Sequence, residues 1–229
     1  MHKINTPIQE KQLCSVTLLG NLVAKPDIRY RANPVSAITE ITLATNSKWL
    51  DKKTNQYKEW TSYHHIKVEG DLVEQVLLTA NKGDIILVHG YLSNIKMSNV
   101  KPTSEIAKTP FSIVHANFIQ KFNKGYTQTV NKILCSGQLT SAPQLITTQN
   151  NKNLAQVNIT INQQDYSVDK QSWQNHKVER ELHVWGKQAQ YLVENAQIGD
   201  NVMVEGKLSY LATAQKEQFI EAKIIHLLS

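Results

Sequence analysis

The sequence predicts an all-β protein made of two similar domains in tandem. An internal repeat is the first reason, since the segment Leu19–Leu22 returns as Ser136–Leu139 and Lys82–Asp84 returns as Ile198–Asp200 at nearly the same spacing. The second reason is that short apolar or alternating runs bounded by Gly, Pro and Asn dominate both halves, which is typical of strands. A chain of 229 residues with such a repeat predicts two domains of roughly 100 residues each.

The first domain is predicted to hold five strands and one short helix. The strands are expected near Ser15–Leu22, Ala37–Asn46, Thr61–Gly70, Asp84–Ile95 and Phe111–Phe118. The helix fits Leu72–Leu78, and its apolar face consists of Leu72, Val73, Val76 and Leu77. Asn81-Lys82-Gly83 follows as a stop signal.

The second domain repeats this plan. Its strands are expected near Asn131–Leu139, Ala155–Gln163, Glu179–Gly186, Asn201–Tyr210 and Phe219–Leu227. Its helix fits Gln188–Asn195, with an apolar face made of Ala189, Leu192, Val193 and Ala196. Five strands with a helix after the third is the order of an OB-fold. We therefore predict two tandem OB-fold five-stranded barrels, each with one short helix after the third strand.

Charge divides unevenly between these domains, which we place at 1–122 and 130–229 with a polar linker at 123–129. The net charge of +6 lies entirely in residues 1–125, and residues 126–229 are neutral. A basic domain joined to a neutral one indicates that the first domain makes most of the contact with a polyanion. A charge that serves only solubility is the alternative.

Several features indicate a cytoplasmic protein. Cys14 and Cys135 suit a reducing compartment as small apolar strand residues better than they suit a disulfide framework. The segment Met1–Pro7 lacks the apolar core of a signal peptide, and no apolar run approaches the roughly 18 residues of a membrane span.

Aromatic and basic residues alternate in one predicted hairpin of the first domain. Because this run is too polar for a barrel core, we expect its rings to be largely exposed. Base faces stack on such rings and phosphates bind Lys or Arg, so the hairpin predicts contact with single-stranded DNA. The predicted binding residues are Trp49, Tyr57, Trp60 and Tyr63, the lysines Lys48, Lys52, Lys53, Lys58 and Lys67, and Arg29 and Arg31 in the preceding loop.

Residues 13–120 resemble the bacterial single-stranded-DNA-binding protein family. The resemblance rests on Trp49–His64, which is similar to the family's long second hairpin, and on the segments around Leu19–Leu22 and Lys82–Leu92. It implies that Trp49 and Tyr63 are base-stacking residues. Two positions depart from the family pattern: Glu69 stands where the family usually has Phe, and Met97 where it usually has Trp.

The second domain resembles the family only at its repeat anchors. Trp185 aligns with Glu69, so the missing ring returns there, and Tyr210 lies on the strand equivalent to the one leading to Met97. Both are predicted to bind DNA. Basic residues are few near the matching hairpin, which contains Tyr166 and Trp173. The domain is therefore expected either to bind DNA weakly or mainly to mediate assembly.

These observations predict a binding protein without cofactor or catalytic residues. No nucleophile–base pair or phosphate-binding loop is present, and His64 and His65, as strand neighbours on opposite faces, cannot chelate one metal ion. We predict binding of single-stranded DNA without sequence preference, in replication, recombination, repair or DNA transfer. An OB adaptor of the primosomal type, working mainly through protein contacts, is the alternative.

The resemblance also bears on partners. Family members commonly assemble four OB domains, which implies a homodimer of this two-domain chain. They usually end in an acidic, Phe-tipped tail, whereas this sequence stops at Ser229 directly after a predicted strand. We therefore expect no recruitment of partner proteins through a tail.

Overall fold

The computed structural model describes residues 12–51, 54–95, 111–125, 128–148, 151–167, 172–213 and 217–228. The described strands are β1 (Cys14–Leu22), β2 (Arg29–Ala32), β3 (Val35–Asp51), β4 (Gln56–Glu69), β5 (Ile85–Ile95), β6 (Phe111–Phe122), β7 (Val130–Leu139), β8 (Gln144–Thr147), β9 (Asn153–Ser167), β10 (Ser172–Trp185), β11 (Asn201–Tyr210) and β12 (Gln218–Leu228). A short π-helix at Val73–Leu77 follows β4, and the α-helix α1 at Lys187–Asn195 follows β10.

The first domain closes into a barrel in the order β1, β3, β4, β6, β5. Strand β1 pairs antiparallel with both β3 and β5, β4 pairs with β3, β6 pairs antiparallel with β5, and a parallel pairing joins β4 to β6. Gly20 lies where β1 approaches β3, and a Cβ atom there would collide with the backbone oxygen of Ala44. A residue without a side chain is therefore required where the barrel closes.

The second domain has the same topology, with β7, β9, β10, β12 and β11 in the corresponding places. Gly137 repeats the part of Gly20, since a Cβ atom there would meet the backbone oxygen of Thr160. The prediction of two tandem OB-fold barrels, each with a helix after its third barrel strand, is confirmed.

The two barrels join through β1 and β7, which pair antiparallel over six residues of each strand. Val16 faces Ile133 in this ladder. Ile133 is also the repeat equivalent of Val16, by the spacing that relates Gly137 to Gly20. Because equivalent residues pair with each other, a pseudo-two-fold axis passes between them. The tandem chain therefore has the internal symmetry of an isologous dimer.

Apolar packing continues across this junction. Val16 and Leu18 of β1 are fully buried in one core cluster with Ile133 and Cys135 of β7. The helix α1 adds Leu192 to the same cluster. The two domains consequently share buried apolar surface instead of being joined only by a linker.

Polar contacts across the junction obey the same symmetry. Buried His64 of the first barrel contacts the Tyr210 hydroxyl of the second with a 3.0 Å separation from Nδ1. In the opposite direction, buried Arg180 donates to the side-chain oxygen of Asn94 at 2.8 Å. Arg180 is the repeat equivalent of His64, and Asn94 is the equivalent of Tyr210. The end of β5 in the first barrel therefore contacts the second barrel, and the end of β11 in the second barrel contacts the first.

Further hydrogen bonds connect these two contacts. Gln218 donates from Nε2 to the Tyr210 hydroxyl at 3.2 Å and accepts from Arg180 Nε at 3.1 Å. Arg180 also donates to the backbone oxygen of Ser93 at 2.9 Å. A buried guanidinium needs such partners, and here they come from both domains.

Cys14 and Cys135 face each other in the β1–β7 ladder, and both are free thiols. Burial raises the pKa of the Cys14 thiol to about 11 and raises the pKa of Cys135 further in the same direction. Both groups therefore stay protonated near neutral pH and react slowly as nucleophiles.

Two short strands differ from the sequence prediction. Strands β2 and β8 pair with the beginnings of β3 and β9, and every residue in them is exposed. Neither shows the alternation of a half-buried strand, because neither of its faces is covered. Arg29 and Arg31 consequently lie on a strand and not in the predicted loop.

The predicted strand ends are otherwise close, except that the hairpins β3–β4 and β9–β10 both extend beyond their predicted limits. Strands β9 and β10 pair as far as Ser167 and Ser172. Strands β3 and β4 run beyond their predicted limits and pair as far as Asp51 and Gln56, leaving the barrel as a long hairpin. We call residues 46–61 of this hairpin the arm.

Strand β6 ends at Phe122 and β7 begins at Val130. The division into domains 1–122 and 130–229 with a linker at 123–129 stays a prediction.

Candidate nucleic-acid interface

The arm and the adjoining part of β4 carry the four aromatic residues that the sequence singles out in the first domain. Trp49, Tyr57, Trp60 and Tyr63 have between 45% and 68% of their surface exposed. Core residues of the same strands, such as Leu43 and Ile66, are fully buried. The rings are therefore available to a ligand. It is unusual for several aromatic residues of this size to be exposed together.

The strand register divides these rings between two faces. Trp49 is opposite Lys58 and Trp60 is opposite Ser47, which places both tryptophans on the face that continues the barrel interior. Tyr57 is opposite Leu50 and lies on the other face.

Tyr63, opposite Ala44, also lies on that outer face. It belongs to the alternating residues of β4 that lead past His65 to Lys67 and Glu69. The sequence shows that aromatic residues are dense here, but only the register shows that they form two separate surfaces.

Cations accompany the rings of the arm. The Lys48 ammonium lies 5.0 Å from the centre of the Tyr57 ring, within the range of a cation–π contact. Lys48 also pairs with Glu59 at 3.5 Å, and Lys58 pairs with Asp51. Lys48 and Glu59 are both exposed, so their ion pair is weak, and the pairs leave both cations on the hairpin that carries the rings. The predicted residues Lys52 and Lys53 lie outside the described residues, as does Met97.

Glu69 sits at the centre of a charged cluster on the outside of the first barrel. Its Oε1 lies 2.9 Å from Arg31 NH2 and 2.8 Å from Lys67 Nζ, and its Oε2 lies 3.4 Å from His115 Nε2. The hydrogen bonds with His115 and Lys67 lower the pKa of this carboxyl to about 2, although burial opposes them. Glu69 is therefore an anion that two predicted DNA-binding cations neutralise.

The remaining predicted cation of this region, Arg29, forms two hydrogen bonds to the carboxylate of Asp27 at 2.9 and 3.1 Å. Both side chains are highly exposed, so this pair contributes little to stability.

Trp185 occupies the position in the second domain that Glu69 occupies in the first, and 40% of its surface is exposed. It lines a groove of about 1210 Å³. The groove is also lined by five lysines, namely Lys132, Lys152, Lys187, Lys207 and Lys223. Such a lining suits a phosphate backbone beside a stacked base.

No local sequence pattern indicates these lysines. They come from β7, the β8–β9 turn, α1, β11 and β12, and no two are closer than sixteen residues in sequence. Only the barrel closure brings them together. Two are ion-paired, Lys132 with Glu205 at 3.4 Å and Lys207 with Glu221 at 3.2 Å.

Tyr210 is placed differently from a base-stacking residue. Its hydroxyl is engaged by His64 and Gln218, and its ring lies 5.6 Å from the His64 ring at 56°. Burial raises the pKa of the Tyr210 hydroxyl to about 12. This geometry favours a part in joining the barrels over contact with DNA.

In the described segments, no helix has the length and apolar character needed to span a membrane. Within the same segments, no group of three or more His, Cys, Asp or Glu side chains is arranged to hold a metal ion.

Comparison with known proteins defines the class. The family model described as "Single-strand binding protein family" matches residues 13–119 and again residues 130–225. The chain therefore belongs to the single-strand binding protein family. This family consists of binders without enzymatic activity, so the chain is a binding protein and not an enzyme, and membership supports binding of single-stranded DNA.

Solved structures show the same two-domain fold. The wild-type single-stranded DNA binding protein from Thermus aquaticus matches with a TM-score of 0.76 and 23% identity, over 96% of this chain and 95% of that one. A deletion variant of the same protein, which also carries one substitution, matches with a TM-score of 0.78 and 23% identity, over 96% of each chain.

Proposed function

We propose that this protein binds single-stranded DNA without sequence preference and protects or organises it during replication, recombination, repair or DNA transfer. The observation that carries the proposal is the arm with the adjoining part of β4, where four exposed aromatic rings stand among lysines on one paired hairpin. Rings of this kind stack on any base, and the lysines bind phosphates of any sequence. The arm therefore supports affinity without base-edge recognition.

The accessibility of the bases explains why single strands would be preferred over duplex. The rings protrude from a narrow hairpin and can stack only on bases that are free of a complementary strand. A duplex offers its phosphates but keeps its bases stacked on each other. The cations alone would then provide the weaker, salt-sensitive part of the interaction.

The second domain would supply a further contact. Trp185 and the lysine-lined groove around it support stacking and phosphate binding at a distance from the arm. A strand held by one domain meets the other at high effective concentration, so two modest sites give tighter binding together. Although this domain as a whole has no net charge, lysine is in local excess around Trp185.

A homodimer with four OB domains is the proposed assembly. Phe118 of β6 and Ile224 of β12 are both exposed, and they are equivalent under the pseudo-two-fold axis, opposite His89 and Glu205 respectively. A sheet face with such symmetry suits contact with a second copy of itself. Solution mass of the wild type and of Phe118→Asp together with Ile224→Asp tests this, because the double variant should have the mass of one chain.

Sequence indifference is tested by titration with oligo-dT, oligo-dC and a mixed-sequence strand of equal length, followed by tryptophan fluorescence. We expect all three to quench the fluorescence with similar affinity. An adaptor that works mainly through protein contacts would not bind these strands. A sequence-specific binder would prefer one of them. The cytoplasmic location stays a prediction alongside this proposal.

A further inference from the structure

The charged cluster around Glu69 contains the same kind of interaction that DNA would make. Arg31 and Lys67 direct hydrogen-bond donors to one carboxylate oxygen at 2.9 and 2.8 Å. A phosphate group presents the same chemistry, namely anionic oxygens that accept charge-assisted hydrogen bonds from Arg and Lys. Both cations lie on the outer face that also carries Tyr63, next to the path proposed for the strand.

The repeat-equivalent place in the second domain has its carboxylate elsewhere, since Glu221 stands where the first domain has His115 and pairs with Lys207 at 3.2 Å. There Trp185 replaces Glu69, and Lys152, Lys187 and Lys223 form no ion pair with any carboxylate of the described residues. Three of the five groove lysines are therefore left for a phosphate, whereas Arg31 and Lys67 both already pair with Glu69.

We propose that Glu69 competes with the DNA phosphates for Arg31 and Lys67, so that the first domain engages a strand there only when Glu69 gives up these cations. Glu69 thereby limits the affinity of the first domain and leaves the groove of the second as the readier phosphate site. This inference rests on the proposed binding of single-stranded DNA.

Glu69→Gln in the full chain provides the direct test, with an oligo-dT of about 30 nucleotides, enough for two OB domains at up to about 16 nucleotides each. We expect affinity at low salt to rise about threefold or more. The plot of log affinity against log salt should steepen by about 0.7 for each phosphate that is newly bound. Unchanged or weaker binding by the folded variant would overturn the inference.

Glu74→Gln is the matched control. It removes the same charge from an exposed carboxylate of the first domain that forms no ion pair with a described residue. It should leave affinity within about 1.5-fold of wild type, since one remote charge is largely screened. If both variants gained the same affinity, the effect of Glu69→Gln would come from net charge alone. That result would overturn the inference that Glu69 competes with phosphate.

A double-variant cycle separates competition from positioning. Under competition, Arg31→Gln costs more affinity in the Glu69→Gln background than in the wild type, because Arg31 then binds phosphate without a rival. If Glu69 instead holds Arg31 in a binding geometry, Arg31→Gln costs less in that background, and the inference fails.

The wild-type chain supplies a measurement that needs no variant. Isotope-edited NMR follows the side-chain carboxyl carbon of Glu69, which should shift when oligo-dT draws Arg31 and Lys67 away, while that of Glu74 stays in place. A Glu69 signal unchanged at saturation would overturn the inference. Absence of any oligo-dT binding would instead overturn the proposed function, so the two failures are distinguishable.

Discussion

Trp49 and Tyr63 stand on opposite faces of the hairpin formed by β3 and β4, and both are about half exposed. Neither ring fills the core, since the barrel interior at this end is occupied by smaller residues such as Thr45 and Ser62. Large rings that are exposed together on one hairpin are typical of an interaction site. At this scale, the proposal depends on what each ring contributes to affinity.

We predict that Trp49→Ala and Tyr63→Ala each weaken binding to oligo-dT by about 1–3 kcal/mol, because each removes one stacking surface. Fluorescence anisotropy with labelled oligo-dT measures the loss. Tyr191→Ala, which removes an equally exposed ring from α1, serves as the control and should bind like the wild type. Full affinity in a folded Trp49→Ala variant would show that the arm is not the DNA path.

Residue types and spacing were sufficient to predict the exposure of these rings, because a run as polar as Lys48–Thr61 cannot form a core. They were not sufficient for the surroundings of Glu69. Arg31 and His115 reach that carboxylate from β2 and β6, and no local pattern relates strands so far apart in sequence. The five lysines near Trp185 were missed for the same reason.

At the scale of secondary-structure elements, the tips of β5 and β11 matter most. Each inserts a polar side chain into the other barrel, Asn94 toward Arg180 and Tyr210 toward His64. Because the Tyr210 hydroxyl accepts from Gln218, its own hydrogen is directed to His64 Nδ1. Neutral His64 then carries its proton on Nε2, which faces Thr45 Oγ1 at 2.8 Å.

Tyr210→Phe keeps the ring and removes the hydroxyl from this network. Two buried groups, His64 Nδ1 and Gln218 Nε2, lose a partner, and the free energy of unfolding should fall by about 1–3 kcal/mol. Urea unfolding measures the change. Tyr191→Phe removes a hydroxyl from an exposed ring and should leave stability nearly unchanged. Equal stability of wild type and Tyr210→Phe would contradict the proposed joining contact.

Because His64 is buried, we also expect the stability of the protein to depend on pH. Burial, with a smaller contribution from His65, lowers its pKa from 6.5 to about 4. The unfolded chain therefore takes up a proton at a higher pH than the folded one. The stabilisation is complete above about pH 6.5 and is lost as the pH falls toward 4, by roughly 3 kcal/mol at most.

His64→Gln should make the pH profile of unfolding less steep between pH 6.5 and 4, because a glutamine at position 64 does not titrate. Its stability at neutral pH is expected to be lower, so the comparison uses the slope and not the absolute value. A variant whose stability declines as steeply as that of the wild type would assign the acid sensitivity to other groups.

Repeated sequence anchors predicted the doubled barrel because glycines such as Gly20 and Gly137 are needed where each barrel closes. They did not predict that the barrels share a core. The β1–β7 ladder joins residues more than a hundred positions apart, and strand edges give no sign in sequence of their eventual neighbour. At the scale of the whole molecule, the two barrels thus form a symmetric pair and are not independent domains.

This arrangement makes substitutions in the full chain a better test of the second domain than isolated domains, whose β1 or β7 edge would be exposed. We predict that Trp185→Ala lowers affinity by about 1–3 kcal/mol and shortens the length of oligo-dT occupied per chain. Titration with oligo-dT of increasing length measures both. If the variant instead keeps its affinity but has a lower solution mass, Trp185 belongs to an interface between chains.

Salt dependence distinguishes single-strand binding from simple charge attraction, since the arm combines rings, whose stacking salt hardly affects, with cations, whose contacts salt weakens. The wild-type chain is titrated with a single strand and with a duplex of equal length over a series of salt concentrations. We predict that log affinity for the single strand falls with log salt at about 0.7 per neutralised phosphate, and that its affinity stays well above that for duplex at every salt concentration. Equal affinity for single strand and duplex across the series would show that the exposed rings do not contact bases.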